Sequence, residues 1–379
     1  TFDSPPISMI PAPFPKCSWT WRIEPAVLRS PRSEKESGVA LTTPTITGRE
    51  TSTSPLAVRS KVAGTEVTMT MLDTFDHGDF AAADIARKLR ETVSVVIPTR
   101  DTAGTIAATV AELKVLAEDG MVDQILVVDA DSADGTAAVA RDAGAEVVSE
   151  NELVEGHGPC RGKGDAMWRA LAAVDGEVVV YIDGDIADFG RHYITGLVGP
   201  LVDPARHFVK GRYRRPFRYG ENEEPAGGGR VTELAARPLL ARLAPELLAF
   251  DQPLAGEVAA RRELLERVPF TCGYGVEIAM LLEVWDRVGI EGMAQVELGT
   301  KRNAHQSLAA LAGMSSEVIA AMAETLDRLD RRDTGRLAMV EGTGPEVTMR
   351  PAFTTTQGVG RGPTRPPRET RQFTENDDG

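Results

Sequence analysis

Between residues 92 and 180 short β-branched runs alternate with stretches of helical spacing, and this pattern constrains the fold more than any other feature of the chain. Thr92-Val93-Ser94-Val95-Val96-Ile97 is an apolar run closed by Pro98, which predicts a buried strand. After Arg100-Asp101-Thr102, Ile106, Val110, Leu113 and Leu116 share one face of a helix predicted over residues 105–117. Gln124-Ile125-Leu126-Val127-Val128 predicts the next strand, residues 137–143 a second helix, and Glu146-Val147-Val148 and Val178-Val179-Val180 two further strands. Strands alternating with short helices imply an α/β fold with a mostly parallel sheet and right-handed crossovers. In such sheets ligands bind at the carboxyl ends of the strands.

One of those ends carries Tyr181-Ile182-Asp183-Gly184-Asp185. Two carboxylates one residue apart can place hard oxygens on a divalent cation, and the cation can hold a diphosphate. The glycine between them permits a sharp turn and keeps bulk away from a ligand. The alternative is a solvated turn; the position at a strand end favours the metal.

Composition sets outer limits. A chain of 379 residues can bury a large core in one large domain or two. A net charge of −14 argues against nucleic acid and anionic membranes as partners. No apolar run approaches the roughly 20 residues of a membrane span. Cys17, Cys160 and Cys272 are few and not in metal spacing, and no basic-then-apolar leader is seen, so a reducing cytoplasm is expected. Residues 1–70, rich in Pro, Ser and Thr up to about residue 65, read as a disordered extension, with Met69 and Met71 as candidate natural starts before a helical segment over residues 79–91. The remainder divides into a nucleotide-binding region over residues 80–225, an acceptor region over 226–333 and a flexible tail over 334–379.

Four further constellations bear on chemistry. Arg161-Gly162-Lys163-Gly164-Asp165 precedes a helix over residues 166–171, where glycines let a Lys ammonium approach a phosphate or a base edge. Gly227-Gly228-Gly229-Arg230-Val231-Thr232 opens another helix and offers amides, a guanidinium and a hydroxyl to an acceptor phosphate or carboxylate, unless it is only a linker and cap. Cys272-Gly273-Tyr274-Gly275-Val276-Glu277 heads a third helix, where Glu277 suits the dipole or a sugar. Gly299-Thr300-Lys301-Arg302-Asn303-Ala304-His305 follows a strand-like run; His305 either joins Asp185 on the metal or is an ordinary surface or core histidine.

These motifs together resemble a family. Val95-Val96-Ile97-Pro98, the Asp129 to Thr136 loop, Gly162-Lys163-Gly164 and Ile182-Asp183-Gly184-Asp185 look like the nucleotide-sugar domain of GT-A glycosyltransferases. Phe208-Val209-Lys210-Gly211-Arg212-Tyr213-Arg214-Arg215-Pro216, the Gly227 to Leu234 run, Gln252-Pro253-Leu254-Ala255-Gly256-Glu257 and Gly273-Tyr274-Gly275-Val276-Glu277-Ile278 are similar to the actinobacterial glucosyl-3-phosphoglycerate synthases, and to their mannosyl-3-phosphoglycerate sisters, over roughly residues 80–330.

The resemblance implies a Rossmann-like GT-A fold with a smaller helical C-terminal acceptor part. It implies a retaining hexosyltransferase that moves glucose from an NDP-glucose to the 2-hydroxyl of 3-phosphoglycerate with Mg²⁺ or Mn²⁺. Separately from the resemblance, a homodimer is expected, for which an apolar helix over residues 318–329 could serve. Pro98, Thr99, Thr102, Ser132 and Lys163 would hold the nucleotide, and Asp183, Gly184 and Tyr274 the donor sugar side. Asp185 and His305 would bind the metal. Gly229, Arg230, Thr232, Lys301 and Asn303 would face the acceptor. Leu254, through its carbonyl, and Glu277 would stand at the reacting centre beside Asp185. Two positions depart from the family pattern: Thr102 stands where an acidic residue is usual, and ungapped matching puts Asn303, not His305, at the metal histidine. Three rivals are mannosyl transfer from GDP-mannose, transfer to a polyprenyl phosphate, and a catalytically inactive nucleotide-sugar-binding protein.

Overall fold

The apolar runs become the strands of an eight-stranded sheet. The computed structural model describes residues 57–62, 65–70, 72–219, 222–224, 227–302, 306–329 and 347–356, all within a unit spanning Thr53–Gly379. In chain order the strands are β1 (Ala57–Val62), β2 (Thr65–Thr70), β3 (Asp73–Asp76), β4 (Val93–Thr99), β5 (Gln124–Asp129), β6 (Glu146–Ser149), β7 (Val178–Tyr181), β8 (Phe208–Arg214), β9 (Phe217–Tyr219), β10 (Asn222–Glu224), β11 (Val258–Arg261), β12 (Phe270–Thr271), β13 (Met293–Thr300) and β14 (Met349–Arg350). The main sheet runs β3–β13–β8–β11–β7–β4–β5–β6, and every neighbouring pair is parallel except the two made by β11. Strands from both sides of residue 225 therefore share one sheet.

The helices are α1 (Ala82–Lys88), α2 (Ile106–Glu118), α3 (Thr136–Ala143), α4 (Lys163–Ala170), α5 (His192–Val198), α6 (Arg237–Leu243), α7 (Arg262–Leu265), α8 (Val276–Val288) and α9 (Leu308–Arg328). Each face of the sheet has its own core. Val95, Ile97, Val127 and Val180 point into one, with Val110 and Leu113 of α2 and Ile194 of α5. Val96, Leu126, Val128 and Val179 point into the other, with Trp168 of α4, Leu281 of α8 and Met322 of α9. Burial on both faces is why these strands read as continuous apolar runs rather than as an alternation.

Several boundaries moved for identifiable reasons. The segment 79–91 forms only α1 as α-helix, behind a single 3₁₀ turn at His77–Asp79 whose start is capped by Asp76 accepting from the Gly78 amide. Its far end stops at Leu89, buried in extended conformation. Helix α4 starts at Lys163 rather than Ala166, so the lysine belongs to the first turn. Residues 57–62 and 65–70, placed by composition in a disordered extension, pair as an antiparallel hairpin, in keeping with the β-branched residues of both runs. Residues 347–356, placed in the flexible tail, include β14, which pairs with β12, and a 3₁₀ turn at Phe353–Thr355. The apolar face of α9, expected to serve a dimer, is taken up within the chain: Val318, Ala321, Met322 and Leu326 join the core shared with α8. Among the described residues no helix is long and apolar enough to cross a membrane.

Helix α4 approaches the β12 segment so closely that there is no room for a side chain at Gly164. A Cβ there would lie 1.9 Å from the Thr271 carbonyl oxygen and 2.8 Å from Cβ of Val276. Backbone cannot rotate aside as a flexible side-chain end can, so Gly164→Ala must displace α4 from its neighbour. The variant is expected to lose about 1–3 kcal/mol of stability, read as a lower denaturant midpoint than that of the unaltered protein.

Candidate active site

The carboxyl ends of β4 and β7, the start of α4 and the loops before α6, α8 and α9 surround one cleft. Its volume is about 670 Å³, within the usual range for small-molecule sites. Pro98, Thr99, Thr102, Lys163, Asp183, Gly184, Asp185, Gly229, Arg230, Thr232, Leu254, Tyr274, Glu277 and Lys301 all line it, so residues spread over two hundred positions meet in one place. Asn303 and His305 lie outside the described residues. Ser132 is not on the wall. Its hydroxyl donates to Asp129 Oδ1 at 2.6 Å and accepts the Asp101 amide at 2.9 Å.

Those bonds belong to a lacing that stiffens one end of the cleft. The Ala133 amide donates to Asp101 Oδ1 (3.1 Å), the Ala103 amide to Asp134 Oδ2 (2.9 Å) and the Thr102 amide to Thr136 Oγ1 (2.8 Å). Asp101 and Asp131 both adopt left-handed backbone, which Asp tolerates better than most residues. Held this way, the Thr102 hydroxyl is buried and has no hydrogen-bond partner among the described residues.

The centre of the cleft is an ion network. Lys163 Nζ reaches Asp183 Oδ1 at 2.6 Å and Glu277 Oε1 at 2.8 Å. Asp183 Oδ2 in turn receives Lys301 Nζ at 2.6 Å, and Lys301 also pairs with Glu257. Lys301 and Glu257 have fully buried side chains. Lys301, expected beside the acceptor, thus braces Asp183 from beneath, and Lys163 meets two carboxylates before it meets any phosphate. Burial pushes the Asp183 pKa up, but the two ammonium groups outweigh it and hold the carboxyl well below the usual carboxylate range. Burial likewise opposes the charge of Lys163, while Asp183 and Glu277 raise its proton affinity above the ordinary lysine value. Gly256 makes room for the pair, since a Cβ there would stand 2.5 Å from Asp183 Oδ1 and 2.6 Å from Lys163 Nζ.

On the opposite side Gly229 adopts left-handed backbone (φ 72°) and the chain enters the helical stretch that leads into α6. Arg230 is steadied by the ring of Phe217, 5.1 Å from its guanidinium carbon, and by the Gln306 carbonyl at 3.0 Å. Between the two sides sits Arg215, whose Nε is buried without a partner among the described residues. Asp185 is exposed and carries no hydrogen bond or ion pair among the described residues.

Sequence reading assigned no role to Glu150, Arg161, Arg215 or Gln306, all of which line the cleft. It also missed the part played by Glu257. One signal was present: Glu257 interrupts Leu254-Ala255-Gly256 and Val258-Ala259-Ala260, and a lone charge in an apolar run calls for a buried partner. Lys210, inside Phe208-Val209-Lys210-Gly211, sends the same signal. Its Nζ donates to the Ala255 carbonyl at 2.8 Å.

This sheet, with its cleft at the strand ends, is that of a GT-A glycosyltransferase, and the profile described as Glycosyl transferase family 2 matches residues 94–245. The glucosyl-3-phosphoglycerate synthase of Mycolicibacterium smegmatis is 43% identical over 264 residues, covering 69% of this chain and 86% of that protein. The crystal structure of mannosyl-3-phosphoglycerate synthase from Rubrobacter xylanophilus aligns with a TM-score of 0.66 at 43% identity, over 74% of this chain and 95% of that one. Mycobacterium tuberculosis glucosyl-3-phosphoglycerate synthase, solved in complex with Mn²⁺, UDP-glucose and phosphoglyceric acid, aligns with a TM-score of 0.62 at 40% identity, over 75% and 98% of the two chains. The chain belongs to the glucosyl-3-phosphoglycerate synthase family.

Burial pushes the Lys210 ammonium down from the ordinary 10.5 to about 8, even though Glu277 and Glu257 lie near enough to oppose it. Below that value folded and unfolded chains both hold the proton, and the cost of burying the charge is present in full. As pH rises from about 8 to 10.5 the unfolded chain keeps the proton that the folded one has lost, so this lysine's contribution to stability improves. The unfolding free energy of the parent minus that of Lys210→Met, from denaturant titrations across that window, should rise with a slope of at most about 1.4 kcal/mol per pH unit. Groups common to both proteins cancel in the difference.

Proposed function

We propose that this protein transfers glucose from a nucleoside-diphosphate glucose to the 2-hydroxyl of 3-phosphoglycerate with retention at the anomeric carbon. The observation that carries the reading is the meeting, in one cleft, of the Asp183-Gly184-Asp185 end and the Gly229-Arg230-Thr232 cradle, in a chain of this family. The nucleotide belongs at the laced end, where Pro98, Thr99 and the unpartnered Thr102 hydroxyl line the wall. Lys163 stands next to it and can pass from its carboxylates to the leaving diphosphate as negative charge builds there. The acceptor's phosphate and carboxylate belong with Arg230, Thr232 and the amides after Gly229, which would fix its hydroxyl for attack and remove much of the entropic cost of a two-substrate reaction.

The Asp185 carboxylate fits Mg²⁺ or Mn²⁺, since it is a hard oxygen donor facing the cleft, near the Arg215 charge but in no ion pair with a described residue. Among those residues no three His, Cys, Asp or Glu side chains converge as a closed metal site, so a bound cation would take further ligands from the diphosphate. When bound, the cation neutralises charge on the departing diphosphate. The other carboxylates of the centre are tied to lysines, Asp183 to Lys163 and Lys301, Glu277 to Lys163. That arrangement disfavours a glycosyl-enzyme intermediate of the glycosidase kind, and we infer same-face attack with the leaving phosphate accepting the hydroxyl proton. The likeness to the Rubrobacter enzyme favours a second reading, mannosyl transfer to the same acceptor.

Purified protein with Mg²⁺ and 3-phosphoglycerate should release nucleotide and form glucosyl-phosphoglycerate from UDP-glucose or GDP-glucose. Preference for GDP-mannose would move it to the sister activity, and no product from any donor would sink the reading. Asp185→Ala should abolish turnover without lowering the melting temperature; near-normal turnover would remove Asp185 from the site. Arg230→Ala should raise KM for 3-phosphoglycerate by about tenfold or more while KM for the donor stays put. An unchanged acceptor KM would contradict the cradle.

A further inference from the structure

Residues 347–356 do more than close the fold. Arg350, nearly buried at 9% exposure, donates from Nε to Asp165 Oδ1 at 2.8 Å and from Nη2 to Asp165 Oδ2 at 2.6 Å. Asp165 is fully buried in the first turn of α4, two residues beyond Lys163. The same carboxylate accepts the Arg161 amide at 2.9 Å, which closes the turn through Gly162, and the Arg169 Nε at 3.1 Å. Two guanidinium groups and an amide thus fix one carboxylate, and that carboxylate fixes the turn carrying Lys163. The strap is itself pinned: the Trp168 indole donates to the Pro351 carbonyl at 2.9 Å, and the Arg350 guanidinium carbon lies 5.6 Å from the Trp168 ring centroid.

The strap also holds the facing wall. Through β14 it pairs Arg350 with Phe270 and Met349 with Thr271, and the Cys272 amide donates to the Thr348 carbonyl at 2.9 Å. Directly after that point come Gly273 and Tyr274 on the cleft wall, and then Glu277, the partner of Lys163. One short segment therefore grips both sides of the Lys163–Glu277 pair, and Arg350 is its only charged side chain.

We propose that Arg350 is a positioning residue of the active site, which acts through Asp165 to hold the turn of residues 161–163 where Lys163 meets the donor's diphosphate. This rests on the transfer reading above for its substrate but can be tested without turnover. Arg350→Lys keeps the charge and loses the two-bond fork. Titrated with UDP and Mn²⁺, that variant should bind about tenfold more weakly than the parent, as other partners of site residues do when altered. KM for the nucleotide sugar should rise by a similar factor and KM for 3-phosphoglycerate should not. Arg350→Ala should weaken UDP binding further, and millimolar guanidinium should restore part of it, which a general loss of folded protein would not permit. If Arg350→Ala does not fold, the lysine variant carries the comparison. Unchanged UDP affinity in Arg350→Lys, or a fall in active fraction with both KM values intact, would overturn the proposal. A parent protein that binds UDP but transfers no sugar would overturn the transfer reading instead, and the UDP titrations would still decide the role of Arg350.

Discussion

The Lys163 ammonium, shared between Asp183 and Glu277, is the contact on which the rest of the site depends. Three separate parts of the chain meet there: the turn into α4, the loop after β7 and the first turn of α8. A charge of this kind in a partly dry cleft is tolerable only where opposite charges are close and hydrogen-bonded. The surrounding structure serves that requirement. Gly256 leaves the space, Lys301 and Glu257 brace Asp183 from below, and Gly164 lets α4 come within backbone contact of the β12 segment. The loss of Lys301 or Glu257 would leave a buried charge without its partner, which costs more than a missing surface ion pair.

The network also says how a ligand can be admitted. Lys163 and Arg215 face the cleft and Lys301 lies under it, while Asp183, Glu257 and Glu277 balance them, so the centre is close to neutral before any ligand enters. A diphosphate bound with a divalent cation at Asp185 would bring in balanced charge, and the lysine would need only a small displacement from carboxylate to phosphate. Electrostatic stabilisation of this preorganised kind needs little rearrangement at the moment of reaction. The lacing between residues 101–103 and 132–136 serves the same end, because hydroxyls, amides and carboxylates of two loops are already satisfied by one another.

How much could be read in advance followed physical range. The strands β4, β5 and β7 were visible because burial on both sheet faces writes continuous apolar runs into short windows. The cleft residues Asp183, Asp185, Lys163, Arg230 and Glu277 were visible through local chemistry: carboxylates at a strand end, glycines beside a lysine, an acid at a helix start. The bonds of Ser132 were not legible, because a hydroxyl in a polar loop does not show in its sequence neighbours that it will bond Asp129 and the Asp101 amide. The strap was read as a loose tail because Thr348 to Phe353 has no periodicity of its own. Its order comes from Arg350, Trp168 and a two-residue ladder with β12.

By itself the sequence determined the alternating parallel scaffold, the ends of it that carry chemistry, and the family whose motifs occur along it in order. Each of these depends on residues within a turn or two of one another. Tertiary structure alone decided what each charged group does. Lys163 and Glu277 are 114 positions apart, Asp183 and Lys301 118, and Asp165 and Arg350 185. A charge cannot announce from its neighbours in sequence which opposite charge it will be buried against, because that choice is made by the packing of helices on the two faces of the sheet. So Lys301 is paired with Asp183 and Glu257 from across the fold, and the α9 face expected to join two chains became part of the core of one.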